Sequence, residues 1–176
     1  MHLIAISGSL RAVSSNTALL KAAQLLAPDD MRIELYDGLA SLPHFNPDFD
    51  VEPLPAPVAD LRARIGAASG LLISTPEYAR GVPGSLKNAL DWLVSGAEFP
   101  GKPVALFNAS DRSLNAQAAL RLTLETMSAR IVEEASITVR LLGKAKTPEE
   151  IAADPETAPV VRAALAAFAK AVTPRI

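Results

Sequence analysis

The stretch HLIAISGSLRAVSSNTALLKAAQLLA, residues 2–27, places an apolar run, a polar loop and a helical pattern in direct succession. The apolar run at residues 2–7 predicts a buried strand, and the spacing of apolar residues over 16–27 predicts a helix. The loop at residues 7–16 is longer than the roughly two to six residues that usually join a strand to a helix. We therefore expect this loop to bind a ligand.

The same alternation of short β-branched runs and longer helical patterns continues along the chain. Further strands are predicted at residues 31–37, 70–76, 102–110 and 130–139, and further helices at 58–69, 84–96, 115–129 and 148–172. Strands that alternate with helices in this way indicate an α/β fold, a three-layer α/β/α sandwich around a five-stranded parallel sheet. With the strand order 2-1-3-4-5, a ligand lies beyond the carboxyl ends of the strands. The loops to examine are then 7–16, 75–83 and 109–115.

Composition limits the classes of function. The chain has 176 residues, a formal net charge of −2 and no cysteine. This length suits one domain, residues 1–176, and the mild charge gives no reason to expect nucleic acid or an anionic membrane as a partner. The lack of cysteine excludes disulfides and thiolate chemistry. We expect a cytoplasmic protein, because residues 1–7 do not resemble a signal peptide and no apolar stretch reaches membrane-spanning length.

Loop 7–16 carries the chemistry of a phosphate site. It precedes a helix, whose free N–H groups favour an anion, and Arg11 can meet phosphate oxygens two at a time. Ser9, Ser14, Ser15 and Asn16 add hydroxyl and amide donors. The alternative is that Ser14 or Ser15 only caps the helix and that Arg11 is solvated. Neither G-x-x-x-x-G-K-[ST] nor G-x-G-x-x-G is present, so the phosphate is expected to belong to a mononucleotide.

Loop 75–83, TPEYARGVP, suits a flat heterocycle such as flavin. Pro76, Gly81 and Pro83 predict a rigid turn that can direct backbone N–H and C=O groups at the edge of a ring. Tyr78 offers an aromatic surface, although it could equally pack on its own protein. The third loop, 109–115, is small and polar, and it can approach such a ring closely.

Two motifs in the sequence resemble those of a known family. The segment GSLRAVSSN (8–16) resembles the G-S-L-R-x-x-S-x-N signature of the NADPH-dependent FMN reductases, which include quinone, chromate and azo-dye reductases. Further along, TPEYARGVPGSLKNALDWL (75–93) resembles the P-E-Y-N-x-x-x-P-G-x-L-K-N-A-I-D-W segment of that family. The resemblance runs from residue 1 to about residue 110, and the two motifs occur in the family order.

The resemblance implies a flavodoxin-like fold, bound FMN, NADPH or NADH as co-substrate, a small-molecule electron acceptor, and a homodimer or homotetramer. By position, the FMN phosphate would be held by Ser9, Arg11, Ser14 and Asn16, with further contacts from Ser15 and Thr17. The isoalloxazine ring would be lined by Pro76, Glu77, Tyr78 and Ala79, and faced by Ser110. Two departures concern substrate choice: Ala79 replaces the family's asparagine, and SDRSLNAQ (110–117) replaces a glycine-rich loop.

Other residues suggest structural roles. His2 and His44 are far apart in sequence without ligand-like neighbours, so no metal site is expected. Glu77 could act as an acid, but it has no evident titratable partner, which favours a structural role. Lys87 and Asp91 should pair across one turn of a helix.

The apolar residues of the predicted helix 84–95 spread around most of its surface, which predicts that a second subunit covers one side. The function favoured is an NAD(P)H oxidoreductase in which bound FMN carries the redox chemistry and the protein supplies no catalytic side chain of its own. The alternatives are a non-enzymatic FMN electron carrier and a regulatory flavin-binding protein. Arg11 and the mild charge argue against a carrier of the flavodoxin type.

Overall fold

The computed structural model of the protein describes residues 1–141 and 146–172. The predicted domain, residues 1–176, also includes 142–145 and 173–176, which lie outside the described residues. The strands are β1 (His2–Ser7), β2 (Arg32–Tyr36), β3 (Gly70–Ser74), β4 (Pro103–Asn108), β5 (Arg130–Ile131) and β6 (Ile137–Thr138). The helices are α1 (Ser15–Leu26), α2 (Ala56–Ala67), α3 (Gly84–Leu93), α4 (Leu114–Thr126), α5 (Pro148–Ala153) and α6 (Thr157–Val172).

All strand pairs are parallel, and the sheet order β2-β1-β3-β4-β5 confirms the predicted fold. Strands β1, β3 and β4 are apolar on both faces because helices cover both sides of the sheet. One buried cluster joins the sheet to α1, α5 and α6, and a second joins it to α2, α3 and α4. Among the described residues, none of the helices combines the length and the apolar character needed to span a bilayer.

The last predicted strand, 130–139, is wrong in detail. It consists of β5 and β6 with a 3-10 turn, Glu133–Ala135, between them, and both short strands pair with β4. The Ser136 hydroxyl spans the interruption: it accepts a hydrogen bond from the Leu106 N–H at 3.1 Å and donates to the Val132 carbonyl at 3.0 Å. A side chain thus replaces the backbone bond that a continuous strand would have supplied.

The single helix predicted over residues 148–172 is also wrong. It is interrupted after the C-cap of α5, Asp154, and α6 begins at Thr157. Pro155 cannot continue a helix, since it has no N–H and its ring meets the preceding turn. The Asp154 carboxylate then accepts hydrogen bonds from the N–H groups of Glu156, at 3.1 Å, and Thr157, at 2.9 Å, and so caps the second helix.

The apolar residues of α3 are buried within the chain itself, which contradicts the reason given for expecting a second subunit there. Trp92 is fully buried: its ring meets that of Phe45 edge to face at 5.1 Å, and its Nε1 donates to the Pro43 carbonyl at 2.8 Å. Asn88 binds the same loop, with its amide donating to Pro43 and its oxygen accepting from the Phe45 N–H. The proline-rich loop, residues 42–55 before α2, therefore covers the side of α3 that the sheet leaves open, while Val94, just after α3, stays exposed.

Candidate functional site

The loops that follow β1, β3 and β4 converge at one edge of the sheet, as predicted, and enclose an open cavity of about 220 Å³. The predicted site residues that line it are Ser9, Arg11, Ser14, Ser15, Asn16, Pro76, Glu77, Tyr78 and Ser110. Thr17 and Ala79, also predicted, are not in the lining. Ala109 and Ser113 complete the wall and were not predicted. Both lie in the loop at residues 109–115, for which the sequence predicts a close approach to the ligand.

The start of α1 has a side-chain N-cap, and its first turn has backbone N–H groups that the cap does not use. Ser14 is the N-cap residue, and its hydroxyl oxygen accepts from the Thr17 N–H at 3.5 Å. The capping role that was the alternative for Ser14 is therefore present, and its own O–H still lines the cavity. In the part of the chain that the structure describes, the N–H groups of Ser15 and Asn16 have no hydrogen-bond partner. The first turn of α1 thus presents backbone donors to the cavity.

Arg11 lies exposed at the mouth of this cavity. Within the described residues no carboxylate pairs with its guanidinium. The backbone beside it is well fixed, because the Ser9 hydroxyl accepts from the Arg11 N–H at 3.4 Å and the Ser7 hydroxyl accepts from the Ser9 N–H at 3.3 Å. An unpaired cation on an ordered loop is suited to an anionic ligand.

Asn16 and Thr17 are oriented by strand residues that the sequence analysis did not single out. The Ser74 hydroxyl donates to Asn16 Oδ1 at 2.9 Å, which leaves the amide nitrogen of Asn16 as a donor toward the cavity. Ser74 is fully buried at the end of β3, and nothing in its sequence context signals this role. The Thr17 hydroxyl forms a hydrogen bond with the Ser7 hydroxyl at 2.8 Å, and Thr17 lines a neighbouring cavity between α1 and the start of α5.

Gly8 is required by packing. A Cβ at this position would lie 2.3 Å from the Thr75 hydroxyl and 2.9 Å from the Thr75 Cβ, closer than any side chain tolerates. Loop 7–14 therefore lies directly against the end of β3, and this contact brings the first and second loops together.

The second loop turns back on itself at Tyr78–Gly81. Backbone bonds link these two residues in both directions, at 3.1 and 2.9 Å, and Ala79 and Arg80 between them have φ values of 50° and 60°. This left-handed conformation strains residues other than glycine and is tolerated best by asparagine or aspartate. The family's asparagine at the Ala79 position would relieve that strain. The turn holds Tyr78, about half exposed, at the rim of the cavity.

In the third loop, Asn108 Oδ1 accepts from the Ser110 N–H at 3.2 Å, and the Ser110 hydroxyl accepts from the Arg112 N–H at 3.1 Å. Ser110 and Ser113 are buried against the cavity, whereas Asp111 and Arg112 point to solvent. Asp111 pairs with Arg140 at 2.9 Å.

Glu77 joins the second loop to the third. Its carboxylate accepts from the N–H groups of Asn115 and Ala116, both at 2.9 Å, and from the Asn115 side-chain amide at 3.1 Å. These bonds, that from Ala116 first, lower the pKa of the Glu77 carboxyl below its usual range. Glu77 is therefore ionised at neutral pH, and its bonds match the structural role that the sequence favours over that of an acid.

The donor set fits FMN. A guanidinium, serine hydroxyls and free helix N–H groups at one end of the cavity match a phosphate dianion. At the other end, Pro76, Tyr78 and Ala109 give a partly apolar wall with backbone polar groups, which suits a flavin ring.

Comparison with known proteins identifies the family. A sequence model of the NADPH-dependent FMN reductases matches residues 1–141. An NAD(P)H-dependent FMN reductase of Pseudomonas aeruginosa is 42% identical over 129 residues, which cover 70% of this chain and 69% of that protein. A quinone reductase of Escherichia coli is 36% identical over 113 residues, which cover 62% of this chain and 60% of that protein.

A solved structure agrees over nearly the whole chain. The flavoenzyme NAD(P)H:(acceptor) oxidoreductase FerB of Paracoccus denitrificans superimposes with a TM-score of 0.85 at 29% identity, and the match covers 97% of this chain and 96% of FerB. The sheet order, the cavity at its carboxyl edge and these relatives lead to one conclusion. The protein belongs to the NADPH-dependent FMN reductase family of FMN-dependent NAD(P)H oxidoreductases.

Proposed function

We propose that this chain binds FMN in the cavity between its three loops and uses NADPH or NADH to reduce a small-molecule acceptor such as a quinone, an azo compound, a metal oxyanion or free flavin. The phosphate lies at the start of α1 and the ring lies between residues 76–79 and Ser110. One observation carries the proposal. Arg11 and the N–H groups of Ser15 and Asn16, which have no partner among the described residues, line the same cavity as Pro76 and Tyr78.

When bound, FMN supplies the redox chemistry, taking a hydride from the nicotinamide and passing electrons to the acceptor. The role of the chain itself is to bind the cofactor and to orient it. Arg11, Ser9 and the first turn of α1 hold the phosphate, and the Ser74 hydroxyl keeps the Asn16 amide turned toward the cavity. The backbone of residues 76–79 lies where it can meet the polar edge of the ring. Tyr78 at the rim leaves room for nicotinamide and then acceptor to approach in turn.

The experiment that tests this proposal is a titration of the purified protein with FMN, followed by addition of NADPH or NADH under anaerobic conditions. Bleaching of the flavin absorbance, and continuous NAD(P)H oxidation once a quinone is added, are the expected results. Bound FMN that NAD(P)H fails to bleach favours the electron-carrier or regulatory alternatives. A protein that takes up no FMN contradicts the proposal outright.

Substitutions in the third loop, residues 109–115, are expected to change the preference among acceptors more than the affinity for FMN. Arg112 is exposed beside the cavity, and the Arg112→Ala variant keeps the backbone N–H that bonds Ser110. We expect the ratio of rates with an anionic acceptor, ferricyanide, and a neutral quinone to fall by about two- to fivefold, the range of one exposed charge interaction. FMN affinity should stay within about twofold. The matched control is Arg162→Ala on α6, which should leave the ratio unchanged.

A homodimer or homotetramer remains our proposal for the assembly. The burial of α3 removes the original reason, but exposed Phe49, Val51 and Val94 flank the side-chain bond between Asp50 and Ser95 and form an apolar surface. Light scattering at micromolar concentration distinguishes these states from a monomer. One domain and a cytoplasmic location likewise remain proposals from the sequence.

A further inference from the structure

Two helices begin beside the cavity, and the loops before them have the same design. In SGSLR (7–11) and in NASDR (108–112), the first side chain accepts from the N–H of the serine two residues later. In both loops that serine hydroxyl then accepts from the N–H of the arginine. Each loop therefore leads to a helix N-terminus beside the same cavity, which is a position suited to an anion. Arg11 lines the cavity, whereas Arg112 is exposed beside it.

The two helices differ in what lies at their first turn. At α1, the N–H groups of Ser15 and Asn16 have no partner among the described residues. At α4, Ser113 makes no side-chain cap, and the carboxylate of Glu77 takes the N–H groups of Asn115 and Ala116 instead. The chain thus fills the anion position of one helix with a carboxylate of its own.

Occupation by Glu77 has two physical consequences. An external phosphate at α4 would have to displace a carboxylate that makes three hydrogen bonds and would meet its negative charge. The same bonds also fasten the backbone between Pro76 and Tyr78 to the start of α4, across the cavity.

We infer that Glu77 is a positioning residue. Its carboxylate occupies the start of α4, so that the phosphate of the ligand binds at the start of α1, and its hydrogen bonds hold loop 76–81 against α4. The orientation of the cofactor then follows from the difference between two similar helix starts. This inference rests on the proposed FMN site, but the contacts of Glu77 can be tested in the protein without FMN.

The first test uses inorganic phosphate and backbone amide NMR on the FMN-free protein. In the wild type, phosphate should shift the amides of Ser15 and Asn16 and leave those of Asn115 and Ala116 in place. In Glu77→Ala, the second pair should move as well, because the start of α4 is then open to an anion. The control is Glu125→Ala on the exposed side of α4, which should behave as the wild type.

The second test measures how firmly the two loops are held. Arg80 and Arg112 are trypsin sites, one on each side of the Glu77 contact. Cleavage after both should accelerate together by about tenfold or more in Glu77→Ala, since the loss of one hydrogen bond to a charged group corresponds to about 10- to 150-fold. Glu77→Gln retains an oxygen acceptor and should recover most of the resistance, and a merely damaged fold would not be rescued in this way.

The outcomes separate the two proposals. Phosphate shifts at Asn115 and Ala116 in the wild type overturn the role of Glu77. Unchanged α4 shifts or unchanged cleavage in Glu77→Ala also overturn it. A wild type that shows no phosphate shift at Ser15 and Asn16 counts against the proposed FMN site, and it leaves the loop-fastening measurement valid.

Discussion

Trp92→Ala is expected to lower the free energy of unfolding by about 3–5 kcal/mol, the range for truncating a fully buried large aromatic side chain. Trp92 contacts the core of the α3 side of the sheet, stacks edge to face with Phe45 and donates to the Pro43 carbonyl. The substitution leaves a cavity and removes one of the two hydrogen bonds to the Pro43 carbonyl, which still accepts from the Asn88 amide. For a chain of this size the midpoint of thermal unfolding should fall by roughly 10 °C.

Because Trp92 is the single tryptophan, unfolding should be followed by far-ultraviolet circular dichroism in urea. Trp92→Phe keeps an aromatic ring but loses the bond to Pro43, and a smaller loss is expected. Val94→Ala, at a position that is 61% exposed, is the control and should change stability by less than about 0.5 kcal/mol. A loss under about 1 kcal/mol for Trp92→Ala would mean that the proline-rich loop does not cover α3 in solution.

Arg11→Ala is expected to weaken FMN binding by about 10- to 150-fold, since a hydrogen bond to a charged group contributes about 1.5–3 kcal/mol. The guanidinium is unpaired in the described structure and lies at the cavity mouth, so its removal frees no buried carboxylate and disturbs no packing. Quenching of flavin fluorescence gives the dissociation constant directly.

Riboflavin lacks the phosphate and serves as the internal control for this variant. Its affinity should differ between the wild type and Arg11→Ala by less than about twofold. Arg11→Lys keeps the charge but loses the paired donors, and an intermediate affinity for FMN is expected. Higher salt should weaken FMN binding in the wild type more than in Arg11→Ala. If wild-type protein binds riboflavin as tightly as FMN, the phosphate does not lie at α1.

The sheet order and the three loops could be predicted because they depend on local patterns: buried runs, helical spacing and the polar residues that follow each strand. The break between β5 and β6 could not, since it depends on one hydroxyl, that of Ser136, reaching the backbone of β4. The burial of α3 depends on contacts about 45 residues apart in sequence, from Asn88 and Trp92 to Pro43. Composition alone does not reveal such contacts.

In the candidate site, too, residues in local motifs could be predicted and contacts between distant residues could not. Residues of the two motifs were predicted because their types match the chemistry of a phosphate and of a flavin ring. Ser74, which orients Asn16, was missed because a serine at the end of a strand has no distinctive pattern. The contact of Thr17 with the cofactor stays a prediction, and its hydroxyl bonds that of Ser7 in this structure. The contact of Glu77 with the start of α4 could not be predicted, because Asn115 lies 38 residues further along the chain.

The two buried clusters on opposite faces of the sheet support different loops of the cavity. Loop 7–16 leads into α1, which packs in one cluster, whereas loops 75–83 and 109–115 lead into α3 and α4, which pack in the other. Substitutions that repack the α3 and α4 side can therefore reshape loops 75–83 and 109–115, while loop 7–16, where we propose that the phosphate binds, keeps its own support. A fold arranged in this way can change the electron acceptor that it uses while its flavin-binding residues stay the same.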